Sequence, residues 1–540
     1  MADADVPSVL VGITTSYSRI GLLAVLTLIP LTLLGQAIYT LYFHPLAKYP
    51  GPLIGRMTQW YDVYHAYRGD KHVLLYRLHE RYGPLVRFTP NTLSINDPEA
   101  LRAIYAHGAN VRKTVFYKCF RAAPAAISTL LATEKVHHAR KRRVVAQAFS
   151  PDAIRAFEQC VLGHVQALVD QIDAIVHSGG IEKDHQSINM AAMLNWLVFD
   201  IMGDLVFGKP FGTVGDKPEN RRGIWLLGRA AKRNYVIAAM PALARLEMYL
   251  PFLRSLYLDR RNYLAFGKAQ VIARTEGNGF GETGRRDIFS FLLHAKDPET
   301  GSGFPMPELF MEGNTLIVAG SDTSSTTMSA VLFYLLHNPK ALRQLEDEVR
   351  NTFQAATDMR MGLQMQRCSW LQACLDETMR LSPAVAGLLP REVMDGGFSI
   401  PAMGLHFPPG VVIGVPIYAI QHNKDFVDGP FAFEPNRWLD QDDKLPEHRQ
   451  NKEALGSVFD PFSRGDRSCL GKPLVYMELS IAIARLVWEY DMCLAPEQHR
   501  SAVTCEEIRS GLRHPREYQY QDWFLSNNEG VHVELKARKE

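Results

Sequence analysis

The sequence lacks the features that define several large classes of protein. Its seven cysteines are odd in number and irregularly spaced, and no two of them form a CxxC pair. This pattern argues against a disulfide framework or a cysteine-based zinc site, and it indicates a reducing compartment. The formal net charge is only +2, so nothing global favours binding to nucleic acid. The sequence also has no internal repeat and no low-complexity tract.

A long run near the N-terminus has no charged residue. Residues 20–43 read IGLLAVLTLIPLTLLGQAIYTLYF, which is long enough to cross a hydrocarbon core of roughly 30 Å. A cleaved signal peptide is the alternative, but the run is too long and has no small-x-small cleavage site. Lys48 and Arg56 follow the run, and acidic residues precede it. The positive-inside rule then predicts a single-pass helix with residues 1–19 in the lumen and the rest in the cytosol.

The remaining chain predicts one large, mainly α domain with a minor β part. Residues 44–58 contain three prolines and predict a stiff, extended connector, which places the domain at 59–540. A helix is expected from about Trp60 to Tyr82, and the Gly-rich stretch 274–287 is expected to be a surface loop. The β part is predicted at three places: strands meeting at Pro90-Asn91, a small sheet within 383–416, and a terminal strand within 529–538.

One cysteine stands at the predicted start of a helix, within residues 459–491, which read FDPFSRGDRSCLGKPLVYMELSIAIARLVWEYD. After Gly471, the apolar residues Leu474, Met477 and Ile481 recur at helical spacing. Cys469 therefore precedes a helix N-terminus, where unpaired N–H groups and the helix dipole favour a thiolate. Such a thiolate is either a nucleophile or a metal ligand.

A second helical pattern, residues 314–336, has an unusual centre. Residues 319–323 read AGSDT, which are poor helix formers within an apolar helix. The Thr323 hydroxyl can donate back to the Ala319 carbonyl and bend the helix. The pattern indicates either a locally opened polar notch for a ligand or water, or an ordinary core helix.

Two further charged patterns can be interpreted either as functional or as ordinary surface features. Glu377 and Arg380 share a helix face, and with Arg437 they can form a buried ion-pair network, although an ExxR pair alone is uninformative. The basic run EKVHHARKRRVVAQAFS (134–150) indicates a solvated face, or a helix that meets carboxylates on one side and an acidic partner on the other.

Taken together, these stretches resemble the cytochrome P450 superfamily of haem-thiolate monooxygenases. The most specific element is Phe462-x-x-Gly465-x-Arg467-x-Cys469-x-Gly471, and the AGSDT helix, ExxR and FEPNRW occur in the family's order. The resemblance runs from about residue 44 to the end. FHPLAKYPGP, FDIMGDLVFGKPFG and LLHAKDPETGSGF are similar to filamentous-fungal members of secondary metabolism.

The resemblance implies the cytochrome P450 fold behind one N-terminal transmembrane helix, and it implies roles for particular residues. Cys469 would be the axial ligand of the iron in haem b. The implied haem-binding residues are Phe462 on the proximal side, Gly471 (with Gly465) beside the sulfur, and Arg142, Arg391 and Arg467 toward the propionates. His138 stands where the family usually has Trp, and it would bond a propionate or merely pack. Asp322 and Thr323 would organise a catalytic water chain, whereas Glu377, Arg380 and Arg437 would be structural.

The implied activity is insertion of one oxygen atom of O₂ into a hydrophobic small molecule, a polyketide or terpenoid intermediate. Electrons would come from an NADPH-dependent reductase, with cytochrome b5 as a second donor, because the chain has no flavin or nicotinamide fingerprint. The implied location is the endoplasmic reticulum membrane, and the cations Arg140, Lys141, Arg143, Arg464 and Lys472 are expected to dock the reductase. Desaturation or rearrangement without net oxygenation, and a non-catalytic haem-binding scaffold, are the alternatives.

Overall fold

The computed structural model describes residues 27–28, 30–178, 187–215, 217–276, 287–439, 446–496, 516–528 and 530–538. Within them the helices are α1 (Leu53–Met57), α2 (Trp60–Arg68), α3 (Lys71–Tyr82), α4 (Pro98–Ile104), α5 (Val115–Lys118), α6 (Lys135–Ala146), α7 (Pro151–Ser178), α8 (Met190–Phe207), α9 (Arg222–Ala239), α10 (Pro251–Glu276), α11 (Ile288–His294), α12 (Met306–His337), α13 (Pro339–Thr352), α14 (Leu363–Arg367), α15 (Ser369–Leu381), α16 (Ile417–Gln421), α17 (Pro446–Val458) and α18 (Lys472–Glu489). The strands are β1 (Leu85–Thr89), β2 (Thr92–Ile95), β3 (Val111–Lys113), β4 (Ser187–Asn189), β5 (Arg391–Val393), β6 (Phe398–Ile400), β7 (Leu405–Phe407), β8 (Val412–Gly414), β9 (Tyr490–Leu494), β10 (Tyr520–Trp523), β11 (Leu525–Asn528) and β12 (His532–Ala537). The fold is mainly α with a minor β part, as the sequence predicts.

The core forms around the long helix α12. It packs against α8 on one side and against α15 and α18 on another, and the four helices share one large apolar cluster. At Gly320 the Met202 side chain of α8 packs directly against the α12 backbone, because a side-chain carbon at this glycine would overlap it. This close packing sets one wall of the cavity described below.

The three predicted β regions are present, and β3, β4, β9, β10 and β11 are further strands that the sequence does not predict. Strands β1 and β2 are antiparallel and meet at Pro90-Asn91, and β2 pairs in parallel with β8. The five-stranded sheet has the order β1-β2-β8-β5-β3, which includes two strands of the predicted sheet within 383–416. The terminal strand β12 lies between β4 and β9.

The predicted helix from Trp60 to Tyr82 is in fact two helices. Gly69 ends α2 in the left-handed conformation, with φ of 75°, and its N–H donates to the His65 carbonyl at 2.9 Å. Only glycine adopts this conformation without strain, so the helical pattern is interrupted at this position. Most of the predicted surface loop, residues 277–286, lies outside the described residues.

The predicted membrane helix is described only in part. Residues 30–38 are helical and continue as a π-helix at Tyr39–Phe43. Their apolar side chains are exposed, with Leu31 at 64% and Tyr42 at 73%. Among the described residues, one helix is long and apolar enough to cross a membrane, namely α8, but 78% of it is buried inside the globule. We therefore regard α8 as a core helix.

Residues 44–58 lie against the globule, in contrast to the predicted extended connector. Leu46 and Tyr49 are buried, and the Pro50 carbonyl accepts a hydrogen bond from the Arg87 N–H at 2.8 Å. A side-chain carbon at Gly51 would overlap the Arg87 carbonyl, so glycine permits this close approach. The Pro-rich segment is thus an additional layer over β1.

Candidate active site

A cavity of about 300 Å³ lies between α12 and the loop that precedes α18. Its wall is mainly apolar, and it includes Leu316, Ala319, Val385 and Leu389. Within the described residues, Cys469 is the cysteine on this wall. An apolar cavity with a few converging polar groups is the usual form of a small-molecule site.

The loop before α18 holds Cys469 in one position. The Cys469 N–H donates to the Phe462 carbonyl at 2.8 Å, and α18 begins three residues later, as predicted. Gly465 has φ of 65°, and a side-chain carbon there would overlap the Tyr105 carbonyl oxygen. The glycine of the motif is therefore required for packing against Tyr105 rather than for access to the sulfur.

The electrostatics at Cys469 differ from the sequence prediction. Burial raises the pKa of the Cys469 thiol above its ordinary value, and this effect outweighs the Gly471 N–H and the Arg142 charge, which act in the opposite direction. The helix N-terminus alone therefore does not produce a thiolate. A metal cation in the cavity would reverse the balance, because a thiol that ligates a metal gives up its proton.

Four cations surround one end of the cavity. Arg467 donates to the Ala132 carbonyl at 2.7 Å, Arg142 to the Ser468 carbonyl at 2.7 Å, and Arg391 to the Tyr117 hydroxyl at 3.1 Å. The fourth is Lys113, which donates to the Leu130 carbonyl at 2.6 Å.

None of the four cations forms an ion pair with an Asp or Glu among the described residues. Burial, followed by the charge of Arg391, lowers the pKa of Arg467 to about 10. An unpaired buried charge is costly, so this end of the cavity calls for an anion. The two propionates of haem meet that requirement, and the residues present therefore fit the group.

His138 lies on the cavity wall among these cations. Burial, together with the charges of Arg467, Lys113 and Arg142, lowers its pKa to about 2. The imidazole is therefore neutral at physiological pH, and it has one N–H to donate to an anion.

Of the two predicted catalytic residues, Thr323 lies on the cavity wall and Asp322 does not. The Thr323 hydroxyl lines the cavity and donates to the Ala319 carbonyl at 2.7 Å, as predicted. Helix α12 is continuous through this region, so of the two alternatives the locally opened notch is absent from residues 306–337. Asp322 lies outside the cavity wall and near Tyr263 of α10, whose pKa is raised by burial and, to a lesser extent, by Asp322. Burial raises the pKa of Asp322 to about 8.

Sequence analysis missed one buried acid on the cavity wall. Glu478 of α18 is 1% exposed, and its Oε2 accepts a hydrogen bond from the Ser324 hydroxyl at 2.6 Å. Burial raises the pKa of Glu478 to about 8. Its position between Met477 and Leu479, within an apolar helix, is the signal that could have identified it. Lys113 was also missed as a cation because a lone lysine beside a short strand carries no such signal.

The structure brings Glu377, Arg380 and Arg437 together behind the cavity. Arg380 contacts both carboxylate oxygens of Glu377 at 2.9 Å, and Arg437 Nε lies 3.0 Å from Oε1. The Trp438 indole N–H donates to Oε2 at 2.9 Å. Burial alone would raise the pKa of Glu377, but the two arginines hold it below its ordinary value.

The basic helix α6 does not present the predicted docking surface. Lys141 is fully buried and lies 2.6 Å from Glu308, which also pairs with Arg140 at 3.2 Å. Arg143 pairs with Asp297 at 2.9 Å. These cations hold α6 against α12 and the segment before it, so a role in binding a partner is wrong for Lys141. Lys472, in contrast, is exposed.

Comparison with known proteins agrees with the geometry of the site. A family model described as Cytochrome P450 matches residues 45–521. Cytochrome P450 monooxygenase AKT7 of Alternaria alternata is 36% identical, over 92% of this chain and 94% of the relative. Cytochrome P450 monooxygenase atnE of Emericella nidulans is 34% identical, over 92% and 93%. Cytochrome P450 monooxygenase apf7 of Gibberella fujikuroi is 35% identical, over 84% and 87%.

The chain belongs to the cytochrome P450 family and is a monooxygenase, an oxidoreductase that incorporates oxygen from O₂. Members of this family bind iron protoporphyrin IX through a cysteine thiolate.

Proposed function

We propose that this monooxygenase binds haem b through Cys469 and oxidises a hydrophobic small molecule in the adjoining apolar cavity. The observation that carries the proposal is the juxtaposition of Cys469, the four unpaired cations and an apolar wall. Haem bound there would supply the reductive activation of O₂, with one oxygen atom going to the substrate and the other to water. Side chains of this protein would bind the haem and deliver the protons.

The cation cluster would hold the two propionates. Arg142, Arg391 and Arg467 offer charged N–H donors, Lys113 adds a fourth cation, and His138 adds a neutral donor. Phe462 and Gly471 would pack beside the thiolate on the proximal side. Arg142 has a second task, since its contacts with both the carbonyl and the hydroxyl of Ser468 hold the residue next to Cys469.

Thr323 and Asp322, adjacent residues of α12, would together deliver protons to the cavity. The Thr323 hydroxyl is on the cavity wall, where it can hold a water molecule. Asp322, one residue earlier, is a buried acid with a pKa near 8, so it can gain and lose a proton near neutral pH. This pair favours oxygenation over desaturation or rearrangement. The cavity itself favours an enzyme over a scaffold.

The substrate would be an intermediate of fungal secondary metabolism, either a polyketide or a terpenoid. The apolar wall and the fungal relatives support this class. An NADPH-dependent reductase, with cytochrome b5 as a second donor, would supply electrons at the proximal surface, where Lys472 is exposed.

The enzyme would sit on the endoplasmic reticulum membrane with its catalytic domain in the cytosol. Residues 20–43 would span the bilayer, and residues 1–19 would lie in the lumen. The exposed leucines and tyrosines of 30–43 support this, because a contiguous row of exposed apolar side chains favours an apolar surrounding.

The carbon monoxide difference spectrum of the reduced protein tests the proposal. The full-length chain should show the red-shifted Soret band of a haem-thiolate protein, and Cys469→Ser should lose it. Cys493→Ser is the matched control, because Cys493 is exposed and distant from the cavity wall. A Cys469→Ser protein that keeps the thiolate band would refute the assignment.

A further inference from the structure

A narrow chamber of about 70 Å³ adjoins the active-site cavity on the side of α9 and α10. The two share Leu130, Thr315, Ala319 and Phe524 as lining residues, so they lie side by side with only these side chains between them. Most of the chamber wall is apolar. Its polar side chains include Arg260 of α10 and Asn314 of α12.

Arg260 is a buried cation without a counter-ion. Its side chain is 9% exposed overall, and its Nη2 donates to the Arg121 carbonyl at 2.6 Å. No described Asp or Glu forms an ion pair with it, because Glu247 is already paired in bidentate fashion with Arg233 at 2.7 and 2.8 Å. Burial, followed by the charge of Arg233, lowers the pKa of Arg260 to about 10. A charge in such a place is destabilised unless an anion joins it.

Asn314 adds a second unsatisfied group. It is 7% exposed, and its Oδ1 accepts no hydrogen bond from the described residues. The chamber wall includes no acidic side chain among those residues. The chamber is therefore a short apolar space whose wall carries one cation and one unsatisfied amide.

The distance between these polar groups and the active site limits the shape of a substrate that could contact both. Asn314 precedes Thr323 by nine residues on α12, which corresponds to about 13 Å along the helix axis. Ala319 and Val318 lie between them, and both face the chamber. A ligand that reaches from Arg260 to Thr323 must have an apolar body and one polar end.

We propose that Arg260 binds the carboxylate of an amphipathic monocarboxylic acid, whose apolar body extends into the cavity beside Cys469. This inference rests on the proposed function and gives its substrate a chemical class. A guanidinium pairs with a carboxylate through two parallel hydrogen bonds, which sets the orientation of the acid as well as its affinity. The end of the substrate remote from the carboxylate would then be the end that is oxidised.

Decanoic acid and methyl decanoate are suitable probes, because they differ only in the anionic group. Binding of each to the haem-loaded full-length protein is measured from the shift in the Soret band. The acid should bind about tenfold tighter than the ester, as is typical for a hydrogen-bonded charge. Arg260→Gln should bring the two affinities together by weakening the acid alone, whereas Arg260→Lys should keep part of the preference.

Two further variants make the test specific. Arg261→Gln is the matched control, because Arg261 is the adjacent arginine and is exposed, so the preference should be unchanged. Ala231→Glu places a carboxylate on the chamber wall, where it would pair with Arg260 and exclude the acid but not the ester. This variant tests the proposal even if Arg260→Gln fails to fold.

The inference is overturned if the wild type binds acid and ester equally, or if Arg260→Gln weakens both by the same factor at unchanged haem content. Either result in a protein with the thiolate carbon monoxide band leaves the proposed function intact. Absence of that band overturns the proposed function instead.

Discussion

Two glutamates buried near the active site show how environment sets the charge of a residue. Glu377 lies between Arg380 and Arg437, so its pKa is held below the ordinary value and it is ionised. Glu478 has only the Ser324 hydroxyl as a partner among the described side chains, and its pKa rises to about 8. At neutral pH the first is an anion and the second is largely a neutral acid.

Replacement of Glu478 by Gln should stabilise the protein increasingly as pH rises. The folded-state pKa is raised, so wild-type stability falls between the ordinary value of 4.5 and about 8. Gln does not titrate, so the variant avoids a cost on the order of 4 kcal/mol at pH 8. The thermal midpoints of variant and wild type should therefore diverge between pH 5 and pH 8. Parallel midpoints across this range would show that Glu478 is ionised in the folded state.

Glu377→Gln is the control with the opposite sign. The lowered pKa of Glu377 contributes stability that is present above its ordinary value of 4.5 and is lost only as pH falls below it. Removal of one member of a buried ion pair costs about 3–5 kcal/mol, so this variant should be destabilised at both pH values. The comparison separates a protonated glutamate from an ionised one at matched burial.

Loss of the Thr323 hydroxyl should uncouple NADPH oxidation from product formation. Thr323→Val keeps the shape of the side chain but cannot hold a water molecule, so peroxide release should rise several-fold relative to product. Thr323→Ser keeps the hydroxyl and should retain most of the coupling. The ratio of peroxide to NADPH consumed is measured with a substrate that the wild type oxidises. Equal ratios in Val and Ser variants would argue against a role in proton delivery.

At the scale of elements, one exposed apolar surface lies between α2 and the segment before α10. Trp60 and Tyr64 of α2 are at least half exposed, as are Leu246 and Tyr249. Both elements belong to the same surface, because the rings of Tyr67 and Phe252 lie 5.9 Å apart. An exposed apolar patch of this kind is typical of a surface that contacts a membrane or another protein.

Serine at both Leu246 and Tyr249 should weaken membrane binding of a chain that starts at residue 39. Loss of two apolar side chains that would be buried in the bilayer lowers the affinity for phosphatidylcholine vesicles by about tenfold or more. Leu363→Ser is the control, since Leu363 is 75% exposed on a different element. Vesicle co-sedimentation gives the partition coefficients, and equal values for the two variants would remove this surface from the membrane contact.

The basic helix α6 marks the limit of what sequence patterns predict for an element. The cysteine at the start of α18 and the three β regions follow from local periodicity and turn residues, and both were predicted. The burial of Lys141 was not, because its partner Glu308 is distant in sequence and an isolated basic run is typical of a solvated helix. The glutamate that neutralises it is identifiable only once α12 has packed against α6.

At the scale of the whole molecule, a hydrogen bond from one buried residue of the globule holds the N-terminal segment. Arg87 is fully buried, and its Nη1 donates to the Thr40 carbonyl at 2.6 Å. The sequence predicts a membrane helix up to residue 43 followed by a separate connector. The structure instead extends the globule back to about residue 40, because the arginine of β1 requires a carbonyl acceptor from that segment.

Truncation should therefore depend sharply on where the chain begins. A chain of 39–540 should be soluble or loosely membrane-bound and fully haem-loaded, whereas 44–540 leaves a buried Arg87 N–H unpaired at a cost of about 1–3 kcal/mol. The thermal midpoint of 44–540 should be lower. Thr40→Ala in the longer chain is the control, because it retains the carbonyl. Equal midpoints for the two truncated chains would show that the Thr40 contact is dispensable.

The close approach of α8 and α12 at Gly320 has a consequence for laboratory evolution of the enzyme. Met202 both contacts Gly320 and lines the active-site cavity. A single carbon added at Gly320 must therefore displace a flexible thioether, and the displaced atoms reshape the volume open to a substrate. Libraries that vary positions 202 and 320 together would sample changes in regioselectivity, whereas a side chain added at position 320 alone requires Met202 to move aside.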